Sequence, residues 1–141
     1  MAYLFDTDAV SEVLRSQPNT HYVEWLRTIP RDEQFTSAVV VGELYQGAFR
    51  STDRERHLAN IEQRVLAAVT VLPYHVAAAR VYGEIRARLE ESGNILPDAD
   101  LQIAATALYH DLELVTGNVR HFKRISELKI NPILDRSRRA P

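Results

Sequence analysis

The sequence predicts an α/β protein, a three-layer α/β/α sandwich around a mainly parallel five-stranded sheet. Three observations carry this prediction. Short apolar segments that suit buried strands alternate with longer segments of helical periodicity along the 141 residues. The strand-like segments lack a polar face, as in a parallel sheet that helices cover on both sides. The length suits one domain, and a composition of 45% hydrophobic and 26% charged residues is that of a globular chain.

The first half of the chain contains two predicted strands and four predicted helices. Ala2–Phe5 is a short apolar strand that stops at Asp6, and Asp8 stands where the cap of the following helix is expected. The next elements in order are a helix over residues 20–28, a strand over Gln34–Ser37, a helix over Val39–Arg50 and a more polar helix over Asp53–Ala68.

The second half continues the alternation. The β-branched segment TVLPY, residues 70–74, predicts the third strand, and an apolar stripe predicts a helix over His75–Glu91 that ends near Gly93. The remaining elements are a nearly all-apolar helix over Ala99–His110, a strand over residues 112–116, a short turn or helix with His121 and Phe122, and a strand over residues 129–134. We expect one domain over residues 1–134 and a basic tail over residues 135–141.

Composition and charge narrow the class of protein. The chain has no Cys, no apolar stretch of the roughly 18 residues that a membrane span needs, and acids where a signal peptide needs an apolar core. These features favour a cytoplasmic protein with no membrane partner. Residues 1–118 carry ten Arg, no Lys and 17 acids, whereas residues 119–141 carry seven basic and two acidic residues. A basic end of this kind suits either phosphate binding or a solvated surface.

Polar side chains follow the predicted strands at the edge where the carboxyl ends of parallel strands meet. Ligands bind beyond that edge in open α/β sheets. The candidate residues are Asp6 after strand 1, Ser37 after strand 2, Glu43 two turns into the next helix, Asp98 and Asp100 at the start of the helix before strand 4, and Thr116 and Asn118 after strand 4.

Clustered carboxylates without His or Cys indicate a hard divalent cation, and the five histidines show no metal-binding spacing. Several carboxylates in one cleft repel each other unless one takes a proton or a cation neutralises them. Mg²⁺ and Mn²⁺ prefer carboxylate and water oxygens and can polarise a phosphodiester. Each residue also has a structural alternative: Asp98 and Asp100 could complement the helix dipole, and Glu43 could form a salt bridge. Because two caps on one helix are redundant, Asp100 is the expected ligand and Asp98 its neighbour.

Four sequence blocks resemble those of PIN-domain proteins, and the single-domain layout looks like the VapC toxins of toxin–antitoxin pairs. YLFDTDAVSEVL is similar to the first block and TSAVVVGELYQGAFR to the second. LPDADLQIAATALYHDLELVTGNVRHF is similar to the third and fourth blocks together. The likeness runs from Ala2 to Leu134, in the family's order and spacing.

The resemblance implies an endoribonuclease that depends on Mg²⁺, with Mn²⁺ as a substitute, and that hydrolyses RNA by a metal-activated water. It maps the acidic ligands onto Asp6, Glu43 and Asp100, with Asp98 beside them. Many relatives carry a fourth acid where this chain has Asn118, which favours a single cation. The resemblance also implies a homodimer and a VapB-like antitoxin partner.

Further roles are expected for polar and basic residues near the acids. Ser37, Thr116 and Asn118 are expected to position water or the scissile phosphate. Arg120 and Lys123, with the arginines of the tail, are expected to steer the RNA backbone.

Two other functions compete with the nuclease. A haloacid-dehalogenase-like phosphatase would use Asp6 as nucleophile and Asp8 as acid/base, but no Lys precedes Lys123 to bind its phosphate. A PIN-like module that binds a partner without cutting is the other alternative, and the intact acids at Asp6, Glu43 and Asp100 argue against it. A phospho-receiver domain is disfavoured because strand 3 ends in Leu72-Pro73 and not in an aspartate.

Overall fold

The protein is built on a five-stranded, fully parallel sheet, as predicted. The computed structural model describes residues 1–140. The strands in chain order are β1 (Tyr3–Phe5), β2 (Gln34–Ser37), β3 (Thr70–Leu72), β4 (Glu113–Val115) and β5 (Ile130–Asn131). Their order across the sheet is β3-β2-β1-β4-β5. Every neighbouring pair is parallel, so the carboxyl ends of all strands lie at one edge.

Helices connect the strands and make up most of the remaining chain. They are α1 (Thr7–Leu14), α2 (Thr20–Leu26), α3 (Ala38–Arg50), α4 (Arg54–Asn60), α5 (Leu66–Ala68), α6 (Val76–Ser92), α7 (Asp98–Tyr109), α8 (Val119–Phe122) and α9 (Ile133–Arg139). A π-helical turn over Ile61–Val65 joins α4 to α5, so the helix predicted over Asp53–Ala68 is one nearly continuous rod. Within residues 1–140 no helix has both the length and the apolar character needed to cross a membrane.

The strand order places helices on both faces of the sheet. The chain moves outward from β1 to β3 and then crosses back to β4 on the other side of β1. Since such crossovers are right-handed, the helices before β3 cover one face and α6 to α8 cover the other. Helix α6 packs along α7, and α9 packs against α2. This arrangement confirms the predicted three-layer sandwich.

The core lies where the central strands meet α7. Leu4 of β1 and Leu114 of β4 are fully buried, which explains why their segments are apolar on both faces. In α7, Leu101, Ile103 and Ala104 are also buried, as the nearly all-apolar sequence predicts. The buried body of α7 therefore anchors its acidic first turn rigidly against the sheet.

Strand register determines which polar residues become neighbours. Phe5 of β1 pairs with Thr36 of β2 and with Val115 of β4. The next residues, Asp6 and Thr116, therefore meet just beyond the carboxyl edge. The strand order reverses between β1 and β4, and ligand sites in open α/β sheets form at such a switch point.

The C-terminal region differs from its prediction. The strand predicted over residues 129–134 is wrong in its second half, because β5 ends at Asn131 and Ile133 begins α9. Pro132 between them has no N–H to donate to a ladder and suits the start of a helix. Leu134 and Ser137 are buried, so the described part of the segment predicted as a basic tail is a packed helix.

The cap of α1 also differs from its prediction. Asp6, and not Asp8, is the N-cap, and its Oδ1 accepts a hydrogen bond from the Ala9 N–H at 2.8 Å. Strand β1 ends one residue before Asp6, so the helix starts at Thr7 and Asp8 falls inside its first turn. The first acid after β1 therefore has a structural role as well as a place in the cleft described below.

Gly93 provides a test of the local structure. It ends α6 in the left-handed region at φ 74°, whereas Gly83 lies exposed inside the same helix. We expect Gly93→Ala to lower the free energy of unfolding by about 1 kcal/mol and the control Gly83→Ala to raise it by about 0.5–1 kcal/mol. Urea denaturation measures both. A change of the same sign in the two variants would contradict the left-handed cap.

Candidate functional site

A polar cleft of about 380 Å³ opens at the carboxyl edge of β1 and β4. Three of its acids come from elements far apart in sequence: Asp6 follows β1, Glu43 lies on α3 and Asp100 lies in the first turn of α7. The full lining is Asp6, Thr7, Asp8, Ser11, Glu43, Asp100, Asn118 and Phe122. The fold thus brings together the three carboxylates that the sequence singled out as ligands.

Asp6 is the most buried acid of the cleft. Its side chain accepts from the Ala9 N–H, and Thr116 donates a further hydrogen bond to it. The pKa of the Asp6 carboxyl is raised to about 7, mainly by burial and also by the nearby charges of Asp8 and Asp100, although the two hydrogen bonds lower it. Within residues 1–140, no Arg, Lys or His side chain forms an ion pair with Asp6.

Glu43 is half-buried and held from one side. The Thr7 hydroxyl donates to Glu43 Oε1 at 2.5 Å. Within residues 1–140 the other oxygen, Oε2, has no hydrogen-bond partner. The salt bridge considered for Glu43 from sequence is not formed within that range, and its second oxygen is available to a cation.

Asp100 is also held from one side. His121 Nε2, at the end of α8, lies 2.8 Å from Asp100 Oδ2. The two side chains are half-buried, and Oδ1 of Asp100 has no partner within the described residues. His121 thus fixes the orientation of the Asp100 carboxylate and leaves its Oδ1 free.

Asp8 lines the cleft but is bound by an arginine. Arg138 of α9 donates to both Asp8 oxygens, at 2.7 and 2.9 Å, and to Glu12 Oε1 at 2.8 Å. Burial alone would raise the pKa of Glu12, but hydrogen bonds from Arg138 and the Asn19 N–H outweigh it and lower that pKa. Because Asp8 is occupied in this way and no lysine lines the cleft, nothing here favours the phosphatase alternative.

The structure leaves Asp98 and Ser37 outside the cleft. Asp98 Oδ1 accepts from the Tyr82 hydroxyl at 2.8 Å and pairs with the Arg86 guanidinium on the exposed surface of α6. Ser37 is fully buried, and its hydroxyl accepts from the Val39 N–H to cap α3.

Thr116 and Asn118 occupy different positions around the cleft. Thr116 is fully buried beneath the cleft, where it bonds Asp6 and accepts from the Asn118 N–H at 3.0 Å. The Asn118 side chain is exposed at the cleft wall. Of the three polar residues expected to position water or phosphate, only Asn118 therefore reaches the cleft.

The basic residues expected to steer RNA do not line the acidic cleft. Arg120 is exposed, and Lys123 lines a shallow groove of about 280 Å³ with Arg136 and Arg139 of α9. Helix α8 borders both sites, since Val119 lines the groove and Phe122 lines the cleft. A nucleic-acid backbone crossing α8 would meet both.

The donor atoms of the cleft fit a hard divalent cation. They are carboxylate, hydroxyl and amide oxygens with no thiolate, which is the set that Mg²⁺ and Mn²⁺ prefer. The raised pKa of Asp6 and the free oxygens of Glu43 and Asp100 indicate that positive charge would be accommodated there. Within residues 1–140, no three His, Asp or Glu side chains stand close enough to enclose an ion already. The acids would have to converge on it.

Sequence reasoning missed several residues of the cleft. Thr7, Ser11 and Phe122 line it, and His121 holds Asp100, but none was singled out beforehand. A signal existed for His121, because it follows Asn118 by three residues and residues at that spacing share one helical face. Thr7 has no comparable signal, since its contact with Glu43 joins two helices that are distant in sequence.

A second, larger groove adjoins the cleft. It has a volume of about 460 Å³ and shares Thr7, Ser11 and Glu43 with the acidic site. From there it runs between α1, α3 and α4 to Arg56 and His57. The cleft is therefore the end of an extended surface channel and not an isolated pit.

Comparisons with known proteins agree with this architecture. The family profile described as PIN domain matches residues 3–128. The chain is 34% identical over 131 residues to the ribonuclease VapC2 of Haemophilus influenzae, covering 92% of this chain and 96% of that protein. It is 33% identical over 134 residues to the toxin FitB of Neisseria gonorrhoeae, with the same shares covered. A DNA-bound VapBC structure from Salmonella typhimurium superposes with a TM-score of 0.86 at 30% identity, covering 93% of this chain and 97% of that one.

Asp6 provides a pH-dependent test. Its pKa is about 7 in the folded protein and near 4 in the unfolded chain, so the free energy of unfolding should fall as pH rises from about 4 to 7. Asp6→Asn keeps an oxygen for the Ala9 N–H but removes this charge. Without divalent metal, we expect the variant to be more stable than wild type at pH 8, by roughly 1–3 kcal/mol, and the difference to vanish near pH 4. Thermal unfolding across pH measures it, and equal profiles would contradict the buried charge.

Proposed function

The chain belongs to the PIN-domain family, and on that premise we propose that it is an endoribonuclease dependent on Mg²⁺ or Mn²⁺ and the toxin of a toxin–antitoxin pair. One observation carries the proposal: Asp6, Glu43 and Asp100 come from three separate elements and line one cleft at the sheet's switch point. A relative at 34% identity is named a ribonuclease, which supports the same reaction class.

Each cleft acid has a defined place in the proposed mechanism. Asp6, Glu43 and Asp100 would hold the cation with oxygens that the protein leaves free. When bound, a divalent cation supplies charge to polarise the phosphodiester and to make water more acidic. Thr7 holds one oxygen of the Glu43 carboxylate and His121 holds one oxygen of the Asp100 carboxylate. These contacts orient the two carboxylates and so reduce the free-energy cost of bringing them together around a cation.

The remaining cleft residues bind and orient the RNA. The exposed amide of Asn118 can donate to a phosphate oxygen or accept from a water, and it adds no fourth negative charge. This favours one cation in the cleft. Arg120 lies on α8 and Lys123 directly follows it, where both can neutralise phosphates of the RNA backbone. Asp98 is not part of this machinery in the proposal, because Arg86 and Tyr82 occupy it.

The proposed partner is a VapB-like antitoxin acting in the cytoplasm. One similar solved structure is a VapBC complex, which supports a partner protein for this chain. The groove that shares Thr7 and Glu43 with the cleft is the surface where such a partner could block it. The homodimer expected from the resemblance remains a prediction.

Two substitutions in one helical turn test the nuclease. Asp100→Asn and Asp98→Asn each remove one acid from the first turn of α7, so their effects on the helix dipole are alike. We expect Asp100→Asn to lose at least about 100-fold in cleavage of total RNA with Mg²⁺ or Mn²⁺, and Asp98→Asn to stay within about threefold of wild type. EDTA should abolish RNA cleavage by wild type and by Asp98→Asn.

Thermal stability of each variant serves as the control for folding. If wild type cuts no RNA class with either metal, the binding-module alternative replaces the nuclease. If the two variants lose activity equally while folded, the assignment of Asp100 over Asp98 is wrong.

A further inference from the structure

Helix α9 places a guanidinium at the cleft wall. Arg138 makes three hydrogen bonds to carboxylates of α1, two of them to Asp8 in a bidentate pair. Its other partner, Glu12, is 1% exposed and cannot turn to solvent. A planar guanidinium shared between two carboxylates has little freedom, so this arrangement holds the Asp8 side chain in one orientation.

The end of α9 is itself fixed from a second side. Asn19 caps α2 and donates through Nδ2 to the Ser137 carbonyl oxygen at 3.2 Å. The Asn19 N–H also donates to Glu12 at 2.9 Å. Glu12, Asn19 and Arg138 therefore form one network in which α1, α2 and α9 set each other's position.

Gly117 makes room for the ion pair. It lies between Thr116, which bonds Asp6, and Asn118, which lines the cleft. A Cβ at this position would stand 2.2 Å from Arg138 Nη1 and 2.2 Å from Asp8 Oδ2. The Asp8–Arg138 pair thus lies directly over the backbone of the cleft, and only glycine allows that approach.

We propose that Arg138 is a positioning residue that holds Asp8 out of the cation-binding set of Asp6, Glu43 and Asp100. The inference rests on the proposed function and adds a residue from a helix beyond the part of the chain that the PIN profile matches, which ends at residue 128. Helix α9 is, on this view, a component of the site.

The Asp8–Arg138 ion pair lowers the negative charge that the cleft presents. Asp8 is half-exposed and lines the same cleft as the three proposed ligands. Without Arg138, the Asp8 carboxylate would be free to act as a fourth oxygen donor for a cation. Such a donor would tighten cation binding, because affinity for hard cations rises with the number of charged ligands. It would also add one negative charge where RNA approaches. Arg138 removes both effects by neutralising and orienting Asp8.

The sign of a change in metal affinity tests the inference. Mn²⁺ binding without RNA is measured by isothermal titration calorimetry for wild type, Arg138→Gln, Asp8→Asn and the double variant. We expect Arg138→Gln to bind Mn²⁺ about 3–10-fold more tightly, Asp8→Asn to stay within about twofold of wild type, and the double variant to lose the gain. Damage to the fold would weaken binding, so tighter binding separates positioning from a merely structural role.

A second variant disturbs the pair without removing a charge. Gly117→Ala should push Asp8 and Arg138 apart while Arg138 keeps its bond to Glu12, and it should also tighten Mn²⁺ binding. Thermal unfolding checks that all variants are folded. If Arg138→Gln does not fold, Mn²⁺ binding by Gly117→Ala tests the proposal.

The outcomes separate the two proposals. Mn²⁺ binding by wild type that neither Arg138→Gln nor Gly117→Ala tightens would overturn the role of Arg138 and leave the nuclease intact. No Mn²⁺ binding by wild type would overturn both.

Discussion

The position of the Asp6 carboxylate is the constraint on which the rest of the site depends. Strand β1 ends one residue earlier, so the same side chain caps α1 through the Ala9 N–H and faces the cleft. Thr116, brought beside it by the register of β1 and β4, supplies a further hydrogen bond. The protein thus buries a carboxylate without a cation of its own, which is unfavourable in isolation and favourable once positive charge arrives.

Each of the neighbouring acids is held by a different side chain. Glu43 is held by a hydroxyl and Asp100 by an imidazole, and each keeps a free oxygen. Asp8 and Asp98 are instead paired with guanidinium groups, of Arg138 and Arg86 respectively. The type of partner divides the acids: a hydroxyl and an imidazole orient the carboxylates of the proposed ligands Glu43 and Asp100, and guanidinium groups neutralise Asp8 and Asp98.

This division explains how an acidic cleft can accept a polyanion. Carboxylates that all carried unpaired charge would repel RNA and would compete for the same ion. Under the proposed function, pairing some of them within the protein leaves a smaller set for a cation, and the amide of Asn118 adds no further negative charge. The basic groove bordered by α8, with Lys123 and Arg136, then offers the complementary charge.

The sequence by itself determined the fold class and the three convergent acids. Apolar runs, helical stripes and the rule that ligands bind at the carboxyl edge of a parallel sheet are all local or topological information. They sufficed to place Asp6, Glu43 and Asp100 at one edge, but they also placed Asp98 and Ser37 there, and the resemblance to PIN-domain proteins was needed to select the three acids. The PIN-like blocks in the sequence agree with the profile match over residues 3–128.

Only the tertiary structure decided which side chains hold those acids. Asp98 and Asp100 share the first turn of α7, yet one faces α6 and the other faces the cleft, because residues two positions apart point about 200° apart around a helix. The segment after Pro132 looked like a strand and a tail, since seven residues carry too little periodicity to reveal α9. Contacts such as Arg138 with Asp8 join residues from opposite ends of the chain. No local pattern encodes them, because they arise only when packing fixes the distance between two helices.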